Sequence, residues 1–169
     1  MLKSHLSSLL KPLPRLLVRP LALLPTPLWQ QPLEKLCQWS LRQPLTEGQF
    51  DWLEGRRIAI EVSDSDLRFT VSLSAGKLTI DDRDGAETTL SGDCESLLLL
   101  ATRQEDPDTL FFQRRLQIRG NTELGLALKN ELDGFDWQQL PLTIRHHLAA
   151  IGAVMRFAST GEPSSQVTT

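Results

Sequence analysis

Between Arg57 and Leu90 apolar side chains fall on every second position. Ile58, Ile60 and Val62 alternate with Arg57, Ala59 and Glu61, and Leu67, Phe69, Val71 and Leu73 alternate with Arg68, Thr70 and Ser72. Leu78 and Ile80 follow an Ala75-Gly76 turn, and Thr88 and Leu90 follow Asp84-Gly85. Period two is the signature of a strand with one dry and one wet face. It predicts an antiparallel meander of about four strands. Leu116 and Ile118, alternating with Gln117 and Arg119, predict a short fifth strand.

Elsewhere the spacing is helical. Leu33, Leu36, Trp39 and Leu41 recur at helical intervals up to Pro44, and Gln49–Leu53 reads as a turn that closes one end of the core. Asp93 caps a helix over Cys94–Gln104 that places Leu97–Leu100 and Ala101 inside. Asp106-Pro107-Asp108 is a turn or helix-start signal with Pro near the first helical position, and it leads into Leu110, Phe111 and Phe112. After the Gly120-Asn121 turn, Thr122 caps a helix with Leu124, Leu128 and Leu132 on one face, and Gly134 stops it. Gln138–Phe157 is a further amphipathic stretch with Leu142, Leu148, Ile151 and Val154. One apolar sheet face with helices over it is an α+β two-layer sandwich.

The ends differ from the middle. Met1–Leu24 sets Leu6, Leu9, Leu10, Leu13, Leu16 and Leu17 among spaced cations, and Pro12 and Pro14 divide it into two short pieces. Before Thr46 there are six cations, Lys3, Lys11, Arg15, Arg19, Lys35 and Arg42, against one acid, Glu34. Two readings stand. In one, the stretch is an interfacial arm whose Lys3, Lys11, Arg15 and Arg19 meet anionic lipid while the leucines enter the headgroup boundary. In the other it packs on the domain or docks a protein. Lys11, Arg15 and Arg19 interrupt what would be a signal-peptide core, no small-x-small cleavage site follows, and Pro20, Pro25, Pro27 and Pro32 break any spanning run. The expected organisation is an arm with a Pro25–Pro32 linker over 1–45, a central domain over 46–136, a C-terminal helix over 137–158 and a small, polar, disordered tail over 159–169.

Composition narrows the chemistry. The chain has 169 residues, 40% of them hydrophobic and 23% charged, with a net charge of -3. That suits a single soluble domain with extensions and argues against general nucleic-acid binding. Cys37 and Cys94 stand far apart, as in a reducing compartment without a disulfide framework. His146 and His147 are neighbours and point about 100° apart on a helix, so they do not form a one-face metal pair; His5 is isolated. Asp64 and Asp66, and Asp81, Asp82 and Asp84, read as turn residues without the register of a calcium loop. Neither a nucleophile elbow nor a phosphate-cradling glycine loop is present, so no cofactor, metal or catalytic residue is assigned.

Three words carry a resemblance: Phe50–Arg56 (FDWLEGR), Asp106–Arg115 (DPDTLFFQRR) and Gly120–Asn130 (GNTELGLALKN). They resemble the bacterial ubiquinone-biosynthesis accessory factors of the sterol carrier protein type 2 (sterol-binding domain) family. The likeness runs more loosely from about Trp39 to Phe135. It implies a five-stranded, mainly antiparallel sheet with helices around a hydrophobic tunnel. It also implies a non-enzymatic cytoplasmic protein that holds prenylated quinone precursors or phospholipids in oxygen-independent ubiquinone biosynthesis. The implied partners are the UbiU–UbiV peptidase-U32-like iron–sulfur hydroxylase proteins. The tunnel candidates are Phe69, Val71, Leu97, Leu100, Phe111, Phe112, Leu124, Leu128 and Leu132. Periodicity does not separate a tunnel from a filled core, so a phospholipid-transfer protein and a ligand-free scaffold for membrane-associated enzymes stand as alternatives.

Overall fold

The computed structural model describes residues 26–159. The expected membrane contacts Lys3, Lys11, Arg15 and Arg19, and the tail beyond 159, lie outside the described residues. Helix α1 (Thr26–Ser40) and the short α2 (Arg42–Thr46) lead into a 3-10 turn over Asp51–Leu53. Then come β1 (Arg57–Val62), β2 (Arg68–Ser74), β3 (Lys77–Asp81), β4 (Thr88–Gly92), α3 (Cys94–Ala101), α4 (Pro107–Phe112), β5 (Leu116–Gly120), α5 (Thr122–Gly134) and α6 (Leu142–Ser159).

The five strands form one sheet in the order β3-β2-β1-β4-β5. β1, β2 and β3 make the expected antiparallel meander, turned at Ala75 (φ 50°) and Gly76 (φ 71°), a left-handed pair suited to a tight hairpin. The fourth strand departs from the expectation. β4 runs parallel to β1, with Ile58 opposite Thr88 and Ile60 opposite Leu90, so the sheet is mixed. Alternation looks the same in parallel and antiparallel ladders, and the pattern carried no sign of the crossover.

Cross-strand partners share a face. Ile58, Leu73, Leu78, Ile80, Leu90 and Leu116 are buried on the inner face, under the helices. The other face is polar but not bare. Ala59 and Thr70 are nearly inaccessible there, and Thr70 Oγ1 donates to the Arg83 carbonyl (2.9 Å). Asp81, expected as a turn residue, ends β3 buried and bonded to Arg57 (2.8 Å).

The helix starts obey their caps. Asp93 accepts from the Ser96 N–H and Asp106 from the Thr109 N–H. At α5 the cap is Asn121, which accepts from the Leu124 N–H, and not the expected Thr122. The Pro25–Pro32 linker is a correction: from Thr26 the chain is helical, with Pro32 inside α1. Pro32 removes one helix bond, back to Leu28. Tertiary anchors hold the helix regardless, since Trp29 packs edge-on against Phe69, 5.9 Å between ring centres. Residues 26–46 therefore belong to the packed body and not to a separate arm. Leu33 and Leu41 turn to the core, whereas Leu36 and Trp39 face out.

α1 also closes one edge of the sheet. Gln38 Oε1 accepts from the Leu78 N–H (2.9 Å) and Glu34 Oε2 from the Ile80 N–H (3.2 Å), two outward donors of β3. Four residues of helix rise about 6 Å and two of strand about 6.8 Å, so an i, i+4 pair of acceptors matches alternate strand donors. An open edge would otherwise invite pairing with another chain.

Candidate functional site

The apolar layer between sheet and helices is the first candidate. Eight of the nine residues expected there meet in one cluster. Leu100, Leu124 and Leu128 are buried, while Phe69, Val71, Leu97, Phe111 and Leu132 are partly buried against them. Phe112 is the correction, because it is 92% exposed. Neighbours on a helix diverge by about 100°, so α4 cannot turn every residue of Leu110-Phe111-Phe112 inward. Leu110 takes the interior place, with no exposed surface.

Glycines set how closely α5 approaches. A Cβ on Gly125 would stand 2.8 Å from Ile118 Cγ2, so the first half of α5 lies against β4 and β5. Gly120, at φ 113°, passes so near the Glu87 carbonyl that any side chain would collide with it. Further along, Lys129 reaches from α5 to Asp108 of α4 (2.6 Å) and to Asp133 (3.1 Å). Both carboxylates raise the Lys129 ammonium above its ordinary value.

At the far end of α5 the layer turns polar and aromatic. Glu131 Oε1 accepts a hydrogen bond from Gln49 Nε2 (2.7 Å). Burial pushes the Glu131 carboxyl up, against the opposing pull of Gln49 and of the Trp52 indole N–H. Phe50 packs on Phe135 (6.1 Å between centres) and Phe135 meets Trp137 edge-on (5.2 Å). The Arg103 guanidinium lies over the Trp137 ring at 5.7 Å, within cation–π range. Sequence reasoning missed Glu131 although a signal was there: it stands seven residues after Leu124 and three after Leu128, on the stripe that faces inward. It missed Trp29 because the proline-rich start of α1 read as a linker and masked the helical spacing.

Neither Cys37 nor Cys94 forms a disulfide, and burial pushes the Cys37 thiol up. Among the described residues no three His, Cys, Asp or Glu side chains are grouped to hold a metal ion.

The three words that carried the resemblance converge on α5. Phe50–Arg56 supplies Trp52 at its far end, next to Gln49. Asp106–Arg115 supplies the Asp108 partner of Lys129. Gly120–Asn130 is its start. Residues 33–133 match the SCP-2 sterol transfer family. The chain is 40% identical over 155 residues to the ubiquinone biosynthesis accessory factor UbiT of Escherichia coli (strain K12), covering 92% of this chain and 89% of that protein. The UbiT of Escherichia coli O157:H7 matches to the same extent. Among solved structures, one described as "UbiJ-SCP2 Ubiquinone synthesis protein" superposes with a TM-score of 0.52 at 20% identity, over 63% of this chain and 95% of that one, which is a likeness of fold. The family match and the fold coincide with the layer the strands and helices build, and the chain belongs to the SCP-2 sterol transfer family, as a relative of UbiT.

Proposed function

We propose that the protein is a non-catalytic lipid-binding accessory factor of ubiquinone biosynthesis, acting in its oxygen-independent form. The observation that carries this reading is the likeness to UbiT across 92% of the chain, with the signature words gathered around one apolar layer. The ligand is a prenylated quinone precursor held by Phe69, Val71, Leu97, Leu100, Phe111, Leu124, Leu128 and Leu132. Burying a methylene stabilises by about 0.8 kcal/mol, so two isoprene units supply several kcal/mol without any polar contact. The partners are UbiU–UbiV-type iron–sulfur hydroxylases, to which the ring end is presented. The protein works in the cytoplasm at an anionic membrane surface, which the cations before residue 20 meet. Among the described residues no helix is long and apolar enough to cross a membrane.

Lipid extraction and native mass spectrometry of the purified protein test the reading. Co-purifying prenylphenol, or its uptake in competition with phospholipid, is the expected result. Retention of phospholipid alone would make the protein a phospholipid carrier, and the absence of any lipid would make it a scaffold. Leu128→Trp sharpens the test. If Leu128 lines a tunnel, the variant keeps a cooperative thermal transition but loses lipid, whereas in a filled core the added bulk typically costs 1–3 kcal/mol.

A further inference from the structure

Helix α1 is apolar on two sides. Trp29, Leu33, Cys37 and Ser40 turn to the body. Leu28, Pro32, Leu36 and Trp39, each one position earlier, repeat the same spacing about 100° round the helix. These stay in solvent: Leu28 is 62% exposed, Leu36 46% and Trp39 53%. The stripe runs about 16 Å along α1, and apolar side chains gathered on one exposed face, unlike scattered single ones, mark a contact site. Cations border it. Lys35 is exposed on α1 one turn before Trp39, and Arg42 is exposed one turn after it. Lys77 sits between the two groups that Gln38 holds, the Gly76 carbonyl (3.4 Å) and the Leu78 N–H (2.9 Å). None of the three cations forms an ion pair among the described residues. The acids at this end of the molecule are engaged elsewhere. Glu34 accepts from the Ile80 N–H (3.2 Å), Glu47 from the Gln43 side chain (2.9 Å) and Glu54 from the Ala75 N–H (2.6 Å).

We propose that the outer side of α1 is a docking face for an anionic bilayer, with Leu28, Leu36 and Trp39 in the headgroup boundary and Lys35, Arg42 and Lys77 at the lipid phosphates. This rests on the reading of the protein as a lipid carrier at a membrane surface, and it places a membrane contact on the folded body itself. Charge selects the occupant. Residues 1–25 carry Lys3, Lys11, Arg15 and Arg19 and no acid, so packing them on the stripe would set cation against cation. A second copy across a two-fold axis would set Lys35, Arg42 and Lys77 against the same three residues. An anionic bilayer meets the apolar stripe and its cationic border at once. A tryptophan ring suits the headgroup level, and a lysine stem lies along apolar surface while its ammonium reaches the phosphates. Helix α1 then lies in the plane of the interface. On its reverse side Trp29 packs on Phe69. One helix, about 10 Å across, therefore separates the bilayer from the apolar layer proposed to hold the prenyl tail.

The experiment uses the full chain with phosphatidylcholine vesicles that contain about one part in four of phosphatidylglycerol, against phosphatidylcholine alone. Cosedimentation reads affinity, and the melting temperature and the size in solution are taken on the same samples. The double variant Leu36→Gln, Trp39→Gln should bind the anionic vesicles about tenfold more weakly. Lys35→Gln should bind them about fivefold more weakly. Neither should shift the melting temperature, because these side chains are exposed. Leu126→Gln, which removes an exposed leucine of α5, should bind as the unaltered protein does. Brominated lipid should quench the tryptophan emission, and Trp39→Phe should keep its binding and lose most of that quenching. If the double variant binds fully while deletion of residues 1–24 abolishes binding, the docking face is overturned and the membrane-surface reading stands on the arm alone. If the unaltered protein binds no anionic vesicles, both fall. Full quenching in Trp39→Phe refutes the proposal, and so does a dimer of the unaltered protein that the double variant splits into monomers, since the stripe would then be a protein interface.

Discussion

Removing the side chains that close the β3 edge, in the double variant Glu34→Ala, Gln38→Ala, isolates one structural device. The Leu78 and Ile80 N–H groups would lose their acceptors, at 2.9 and 3.2 Å, while the strand stays paired to β2 on its other side. Each such bond is worth about 1 kcal/mol net, and the one to the Glu34 carboxylate somewhat more. Alanine returns a few tenths of a kcal/mol through helix propensity. The sum is a loss of about 2 kcal/mol. At roughly 3 °C per kcal/mol for a domain of this size, the melting temperature should fall by about 6 °C. Calorimetry measures that fall, and hydrogen exchange locates it: the Leu78 and Ile80 amides should exchange much faster, while the Ile60 amide of the central strand does not. An unchanged melting temperature together with unchanged exchange at Leu78 and Ile80 would refute the edge-closing role.

Gly125→Ala places a methyl 2.8 Å from Ile118 Cγ2, so α5 must shift; urea titration should show a loss of about 1–3 kcal/mol. The folded Glu131 carboxyl titrates above its unfolded value, so the folded state binds the proton more readily and this group's contribution to stability falls as pH rises through that window. The melting-temperature advantage of Glu131→Gln should therefore be largest at neutral pH and shrink as pH falls into the ordinary carboxylate range; an advantage independent of pH would contradict the burial argument. Deleting residues 1–24 should leave the sheet folded and weaken binding to anionic vesicles, an attachment that also fades with salt because exposed charges are screened beyond about 10 Å at 0.1 M. Full vesicle binding by the truncated protein would remove the arm as the membrane contact.

Much of the fold was legible in the residues. Period two marked all five strands, and the cap Asp93 marked one helix start to the residue. What stayed hidden depended on direction and facing. The Ile58–Val62 alternation is blind to whether its new neighbour runs parallel, and α1 has apolar residues on both sides, so Leu33 and Cys37 could not be told from Leu36 and Trp39. Spacing put Leu124 and Leu128 on the buried face of α5, as observed, but adjacency misled at Phe112. Glu131 was passed over because an acid on an apolar stripe breaks the pattern being counted.

The parallel junction of β1 and β4 has a kinetic consequence. On one side of it, pairing is local: Ser74 faces Lys77, and Arg57 faces Ser72 across 15 residues. On the other side, Ile58 waits for Thr88 and Leu90 waits for Ile118, each about thirty residues away. Loop closure favours the short pairings by about 0.6 kcal/mol per doubling of loop length, so the β1–β2–β3 hairpins are expected to close before β4 joins β1; pulse-labelled hydrogen exchange that protects Thr88–Gly92 as early as Arg68–Ser74 would refute this order.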